Sequence, residues 1–202
     1  MREHPIFFSG TMVKAILEGR KTMTRRPLKP QPPPYLEGRS FRPITDNLWG
    51  AFAVSGTAGA CRGEDTIRCP YGIPGDRLWV REGFAKCPTT YKPNGIIYRA
   101  DGEDDHVTSF EWRPSIFMPR SLSRITLEIT NVGVESLKEI TEEDCDREVF
   151  GGYIPHVVLP EYGFHGGMTI KECFAVVWDS IYCKNTWSLN LWVWVIEFRR
   201  LP

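Results

Sequence analysis

Apolar residues fall at two different spacings along this chain, and the switches between them lay out its elements. Residues 5–8 (Pro-Ile-Phe-Phe) form a short apolar run that predicts a buried strand. In residues 11–18 the apolar positions are Met12, Val13, Ile16 and Leu17, the spacing of an amphipathic helix that Ser9 or Thr11 can cap. Gly19 predicts the helix stop, because glycine takes the left-handed conformation at little cost. Strict alternation appears in residues 77–82, with Leu78, Val80 and Glu82 on one face and Arg77, Trp79 and Arg81 on the other. Residues 96–100 predict another short strand. The strongest strand signal is residues 124–134, where Ile125, Leu127 and Ile129 oppose Thr126, Glu128 and Thr130. Thr141 caps a helix whose first turn carries Glu142 and Glu143, and Glu148 falls near its end. Residues 169–182 repeat the helical spacing at Ile170, Phe174, Val177, Trp178 and Ile181, and residues 191–201 close the pattern as an aromatic strand.

Between these elements the character changes. Pro27, Pro30, Pro32, Pro33 and Pro34 crowd the stretch after Arg26 and exclude helix or central strand there. From there to Cys69 the chain is rich in glycine and serine, with scattered aromatics at Phe41, Trp49 and Phe52. It reads as an insertion over about residues 27–69 without a core of its own, and residues 151–168 read as a second loop. The order β-α-β, insertion, strands, α, α, β predicts one α+β domain over residues 1–202. Strands without intervening helices favour a mixed or antiparallel sheet, curled into a small barrel with flanking helices.

Composition narrows the function classes. The 202 residues are 42% apolar, enough for a sizeable core, and 25 basic residues balance 25 acidic ones. Bulk attraction to a long polyanion is therefore not expected, and any nucleic-acid contact must be local. No apolar run is long enough to span a bilayer, and the first residues lack a signal-peptide core, so a cytoplasmic protein is expected. Six cysteines without a Cys-x-x-Cys pair suggest reduced thiols. Cys61 and Cys69 supply only two ligands, the histidines are scattered, and the adjacent acids of residues 101–105 lack the spacing of a calcium loop; no metal and no cofactor is expected.

The chemistry concentrates in residues 19–26, Gly-Arg-Lys-Thr-Met-Thr-Arg-Arg, at a predicted helix-to-strand corner. Lys21 can act as a base toward the Thr24 hydroxyl if burial lowers its proton affinity. On a regular strand the two would face opposite sides, so their pairing needs a bend after Gly19. Arg20, Arg25 and Arg26 are candidates for holding phosphates. Trp79, with Arg81 beside it, offers a stacking face for a base or else packs in the core. Glu82 lies on the apolar face of its strand, so it marks a strand end or a polar pocket. The same corner reads equally as a solvated cationic surface.

Five segments in order resemble the ASCH domain family of the PUA-like superfamily, in particular its longer bacteriophage and prophage members. They are residues 19–26, residues 74–82 (Pro-Gly-Asp-Arg-Leu-Trp-Val-Arg-Glu), Met118-Pro119-Arg120 leading into the strand at 124–134, residues 140–148, and residues 194–198. The resemblance implies a small PUA-like β-barrel with a cleft for RNA or a modified nucleoside, in a bacterial or phage-infected cell. It also implies an amidohydrolase activity of the N4-acetylcytidine type, with Lys21, Thr24 and Glu148 as catalytic residues. Arg20, Arg25, Arg26, Trp79, Arg81, Glu82 and Arg120 would contact substrate or RNA. The chain is about twice as long as the short members that carry this activity, and its Pro-rich insertion directly follows the proposed nucleophile. Two other classes stay open: a non-catalytic module binding RNA or a modified base, and a phage accessory or assembly protein docking a protein partner through its Pro-rich segment and aromatic C-terminal strand.

Overall fold

The computed structural model describes residues 1–33, 39–45, 47–53, 66–90, 92–101, 110–150 and 167–202. The fold is α+β. Its centre is a five-stranded mixed sheet in the order β1 (Glu3–Phe7), β6 (Arg77–Arg81), β9 (Thr126–Ser136), β10 (Trp192–Arg200), β2 (Met23–Pro27). β1 runs parallel to β6, and the other neighbours are antiparallel. A three-stranded antiparallel sheet joins β3 (Arg39–Thr45), β4 (Leu48–Ala53) and β5 (Thr66–Arg68), and β7 (Phe84–Lys86) pairs with β8 (Ile96–Tyr98). The helices are α1 (Gly10–Leu17), α2 (Glu142–Cys145), which continues as a π-helical turn over Asp146–Phe150, and α3 (Ile170–Tyr182).

The alternating patterns resolve as expected. Leu78, Val80 and Glu82 are all buried, while Arg77, Trp79 and Arg81 lie half-buried on the opposite face. Ile125, Leu127 and Ile129 enter the core; beyond them the β9–β10 register shifts at a bulge, with Glu197 opposite Asn131 but Phe198 opposite Ile129. The extra residue reverses the phase, so that Val132 becomes the next buried position. Thr141 and Thr169 cap α2 and α3 as their side chains predict, accepting from the backbone N–H of Asp144 and Glu172.

One expectation needs correction. Among the described residues the sheet does not close into a barrel: β1 and β2 are its edges, and no ladder joins them. Side chains occupy the gap instead. Phe8 lies there beneath Lys21 and Arg26, and Arg26 Nη2 reaches across to the Phe7 carbonyl oxygen. The stretch read as an insertion supplies the short strands β3, β4 and β5 and packs on the main core. Phe41, Trp49 and Ala51 belong to the main core, where Phe41 meets Trp192 edge-on at 4.9 Å and Trp49 meets Trp194 at 6.2 Å. Its aromatics supply apolar area that one face of a small sheet lacks.

β10 is buried on both sides. Trp194, Ile196 and Phe198 face the core shared with β1, β6, β9 and α1, whereas Val193 and Val195 face a second core built by α2 and α3. The aromatic C-terminal strand is thus largely interior, with Trp192 half-buried and Arg199 and Arg200 exposed. Cys61 and residues 151–166 of the second loop lie outside the described residues, as does the acidic loop beyond Asp101. Among the described residues, no helix is long and apolar enough to cross a membrane, and no cluster of three His, Cys, Asp or Glu side chains is placed to hold a metal ion.

Candidate functional site

Gly19, at φ 75°, ends α1 as its sequence position predicts. The next two backbone N–H groups, those of Arg20 and Lys21, fold back onto the Ala15 carbonyl oxygen. Thr22 is then pinned on both sides: its N–H donates to the Arg147 carbonyl of the π-helical turn, and its carbonyl accepts from Phe198 N–H of β10. This is the bend that lets Lys21 and Thr24 both be interior, each 3% exposed.

Lys21 Nζ donates to the carbonyl oxygens of Met23 (2.8 Å) and Glu148 (2.6 Å). The second acceptor belongs to the π-helical turn over Asp146–Phe150. Burial lowers the Lys21 pKa to about 7; the nearby Glu148 charge opposes the shift, and Arg26 and Arg25 add to it. A neutral amine has two N–H donors and one lone pair, so these two carbonyls satisfy its donors and leave the lone pair available as a base. Among the described residues no hydrogen bond joins Lys21 Nζ to Thr24 Oγ1, so a proton passing between them needs a bridging water or a tightening of the site around substrate.

Thr24 lines a narrow slot of about 20 Å³, room for little more than one water-sized group, between α1, β2, the π-helical turn and α3. Met12, Arg26, Glu148, Val149, Trp178 and Tyr182 are among its other walls. The Tyr182 hydroxyl accepts from Arg26 Nη1 at 3.2 Å and donates to the Arg25 carbonyl oxygen at 3.4 Å. Arg26 and Tyr182 also border a wider groove of about 850 Å³, lined besides by Lys29, Arg68, Tyr71, Trp194 and the prolines after Arg26.

Arg25 does not serve as an open phosphate contact. Its side chain is buried, with Nε on Glu135 Oε1 (2.6 Å), Nη2 on Asp144 Oδ2 (2.8 Å) and Nη1 on Glu148 Oε2 (3.1 Å). Glu148 Oε1 also accepts the Arg25 backbone N–H at 2.6 Å. Arg25 therefore stays charged, while burial raises the Glu135 pKa despite the arginine beside it. Glu148 meets Lys21 through its main-chain oxygen, while its carboxylate faces Arg25.

The remaining candidates lie apart from the slot. Arg20 pairs with Glu18. Trp79 sits on the far face of β6 with the Arg81 guanidinium 5.0 Å over its ring, and Arg81 donates to the carbonyls of Met118 and Ile116. Glu82 is held bidentately by Arg124 at 2.8 and 3.0 Å, which explains a buried carboxylate at the end of an apolar face. Arg120 pairs with Glu3. Trp79, Arg81, Glu82 and Arg120 lie on the β1–β6 side of the sheet. Sequence reasoning did not assign Trp178, Tyr182, Glu135 or Asp144 to the site. The first two follow helical core spacing, and nothing local marks the two carboxylates as partners of Arg25.

Comparison with family models, with curated proteins and with solved structures finds no match to this chain. The functional reading therefore rests on the residues themselves.

Proposed function

We propose that this chain is an ASCH-like, PUA-like amidohydrolase that removes an acyl group from a base amine of a modified nucleoside, of the N4-acetylcytidine type. The observation that carries the reading is Lys21: a buried amine with a pKa near 7, both N–H donors engaged by carbonyls, four residues past the end of α1 and three from a buried threonine at a slot. A surface lysine binding phosphate needs none of these features. In the reaction, Thr24 Oγ1 attacks the acyl carbonyl carbon as its proton passes to Lys21. The tetrahedral centre then expels the base amine, which takes that proton back from the lysine. Water, deprotonated by the same lysine, releases the acyl group from Thr24 as a carboxylate. Glu148 contributes by placing the carbonyl that orients Lys21, and by fixing Arg25 beneath the strand.

The test is acetate release from N4-acetylcytidine by the purified protein, with Thr24→Ala and Lys21→Ala beside it. Turnover by the wild type and loss in both variants is the expected result; no release by the wild type, on nucleoside or acetylated RNA, refutes the substrate. The wider groove favours a second reading, an RNA-binding module without catalysis. Arg26, Lys29 and Arg68 line it, with no carboxylate among the described lining residues. In that case a single-stranded RNA oligomer binds with an affinity that falls steeply between low and physiological salt, as counterion release requires, and Thr24→Ala leaves the affinity unchanged.

A further inference from the structure

Among the described residues, the buried side-chain atoms that lack a hydrogen-bond partner are His4 Nε2, Arg26 Nε, Ser40 Oγ, Trp49 Nε1 and Trp178 Nε1. Two of the five, Arg26 Nε and Trp178 Nε1, belong to walls of the slot that holds Thr24. Both are obligate N–H donors: an indole nitrogen and a guanidinium Nε carry hydrogen and cannot accept. Trp178 is only 2% exposed, wedged against Tyr182 with ring centroids 4.3 Å apart and against Phe174 at 6.2 Å. A buried donor without a partner is costly, and phenylalanine would fill the same apolar wall without that cost. Such an orphan in a cleft is accounted for by an acceptor that arrives with the ligand. Arg26 has its two terminal nitrogens engaged already, on the Tyr182 hydroxyl and the Phe7 carbonyl oxygen, which fixes the guanidinium plane; Nε is its buried nitrogen without a partner.

We infer that the slot is built around an acceptor oxygen of its ligand, and that the Trp178 indole N–H and Arg26 Nε–H, both on walls of the slot, are the donors that receive it. Resting on the deacylase reading above, this oxygen is the acyl carbonyl oxygen. When the bond from Thr24 Oγ1 to the carbonyl carbon forms, the carbonyl π pair moves onto that oxygen, and the two donors meet the charge. When the pair returns to re-form the carbonyl, the bond to the base amine breaks. A fixed donor in a water-poor slot stabilises the charged oxygen more than the neutral carbonyl, so it acts on kcat more than on KM.

The experiment is Trp178→Phe, which keeps an aromatic ring against Phe174 and Tyr182 and removes the N–H. With melting temperature within a few degrees of the wild type, kcat on N4-acetylcytidine is expected to fall about 100-fold while KM changes less than about threefold. A rise in KM alone, or unchanged kinetics, overturns the inference. A second measurement does not depend on turnover. The indole ¹H–¹⁵N resonance of Trp178, assigned by its loss in Trp178→Phe, is followed as sodium acetate is added to the wild type. A saturable downfield movement, diminished in Arg26→Lys, is the expected result. If the wild type releases no acetate from N4-acetylcytidine but the resonance moves, the deacylase reading fails and the acceptor-oxygen slot stands. If the wild type turns over, the resonance stays still and Trp178→Phe is as active as the wild type, the reverse holds.

Discussion

Arg25→Met is expected to destabilise the fold by about 3–5 kcal/mol, the range for breaking a buried ion pair by removing one partner. For a chain of this length that lowers the melting temperature by roughly 10 °C. The reason is geometric. One guanidinium answers Glu135, Asp144 and Glu148 with three separate nitrogens, and its side chain is wholly enclosed. Methionine fills the volume but leaves three carboxylates facing one another. Arg25→Lys recovers only part of the loss, because an ammonium on a single stem cannot reproduce the planar fork. The pH dependence separates this cause from simple misfit. In Arg25→Met the abandoned carboxylates bind protons more readily in the folded state than in the unfolded one. That variant therefore gains stability relative to the wild type as pH falls from 7 to 4, and the gap narrows. Urea unfolding at both pH values measures it. A loss below about 1 kcal/mol at pH 7 would place the cluster with ordinary surface ion pairs instead.

Lys21→Met should remove turnover and also change how stability responds to pH. In the unfolded chain the lysine titrates at its ordinary value of 10.5, and in the fold at about 7. Between these values the unfolded state binds the extra proton, so the stability of the wild type rises with pH across that window and falls as pH drops toward 7. Methionine cannot titrate. The difference in unfolding free energy between wild type and Lys21→Met should therefore move in favour of the wild type by about 2 kcal/mol from pH 7 to pH 9. Losing the hydrogen bonds to Met23 and Glu148 shifts the difference by a constant and leaves its slope alone. In turnover, the limb of kcat/KM that rises with pH should have its midpoint near 7, where the amine becomes a base. A midpoint near 10, with a flat stability difference, would mean a solvated lysine and would dismiss the catalytic assignment.

How much of this was legible in the sequence differs by element. The strand at residues 77–82 could be read because burial on one face alone produces strict alternation, and even Glu82 was marked as an oddity that needed a partner. The strand at residues 124–134 was legible up to its bulge; past Ile129 the phase depends on how β10 pairs, which no local pattern records. The Lys21–Thr24 corner was visible as chemistry, and Gly19 marked its bend. Arg25 was misread. Its three partners lie 110, 119 and 123 residues away along the chain, so its neighbours in sequence, two of them arginine or threonine, suggested an open cationic patch. Trp178 looked like core, and by burial it is core. Only its unanswered N–H distinguishes it. That the stretch after the prolines has no core of its own was legible in its composition; where Phe41 and Trp49 find their contacts was not.

The sheet has a consequence for the order in which the molecule can be made. β10 lies between β9 and β2, so it is central in the sheet, yet among the described strands it is synthesised after all the others. β2, made early, has its ladder among the described residues on β10 alone, where Thr24 stands opposite Ile196. On the ribosome, residues 21–27 therefore wait for more than 160 further residues without a strand partner. Domains commonly assemble as they emerge, but here the slot cannot take shape until residues 192–200 have cleared the exit tunnel. A nascent or truncated chain would carry the lysine and threonine in water, where an ordinary ammonium and an unactivated hydroxyl do no chemistry.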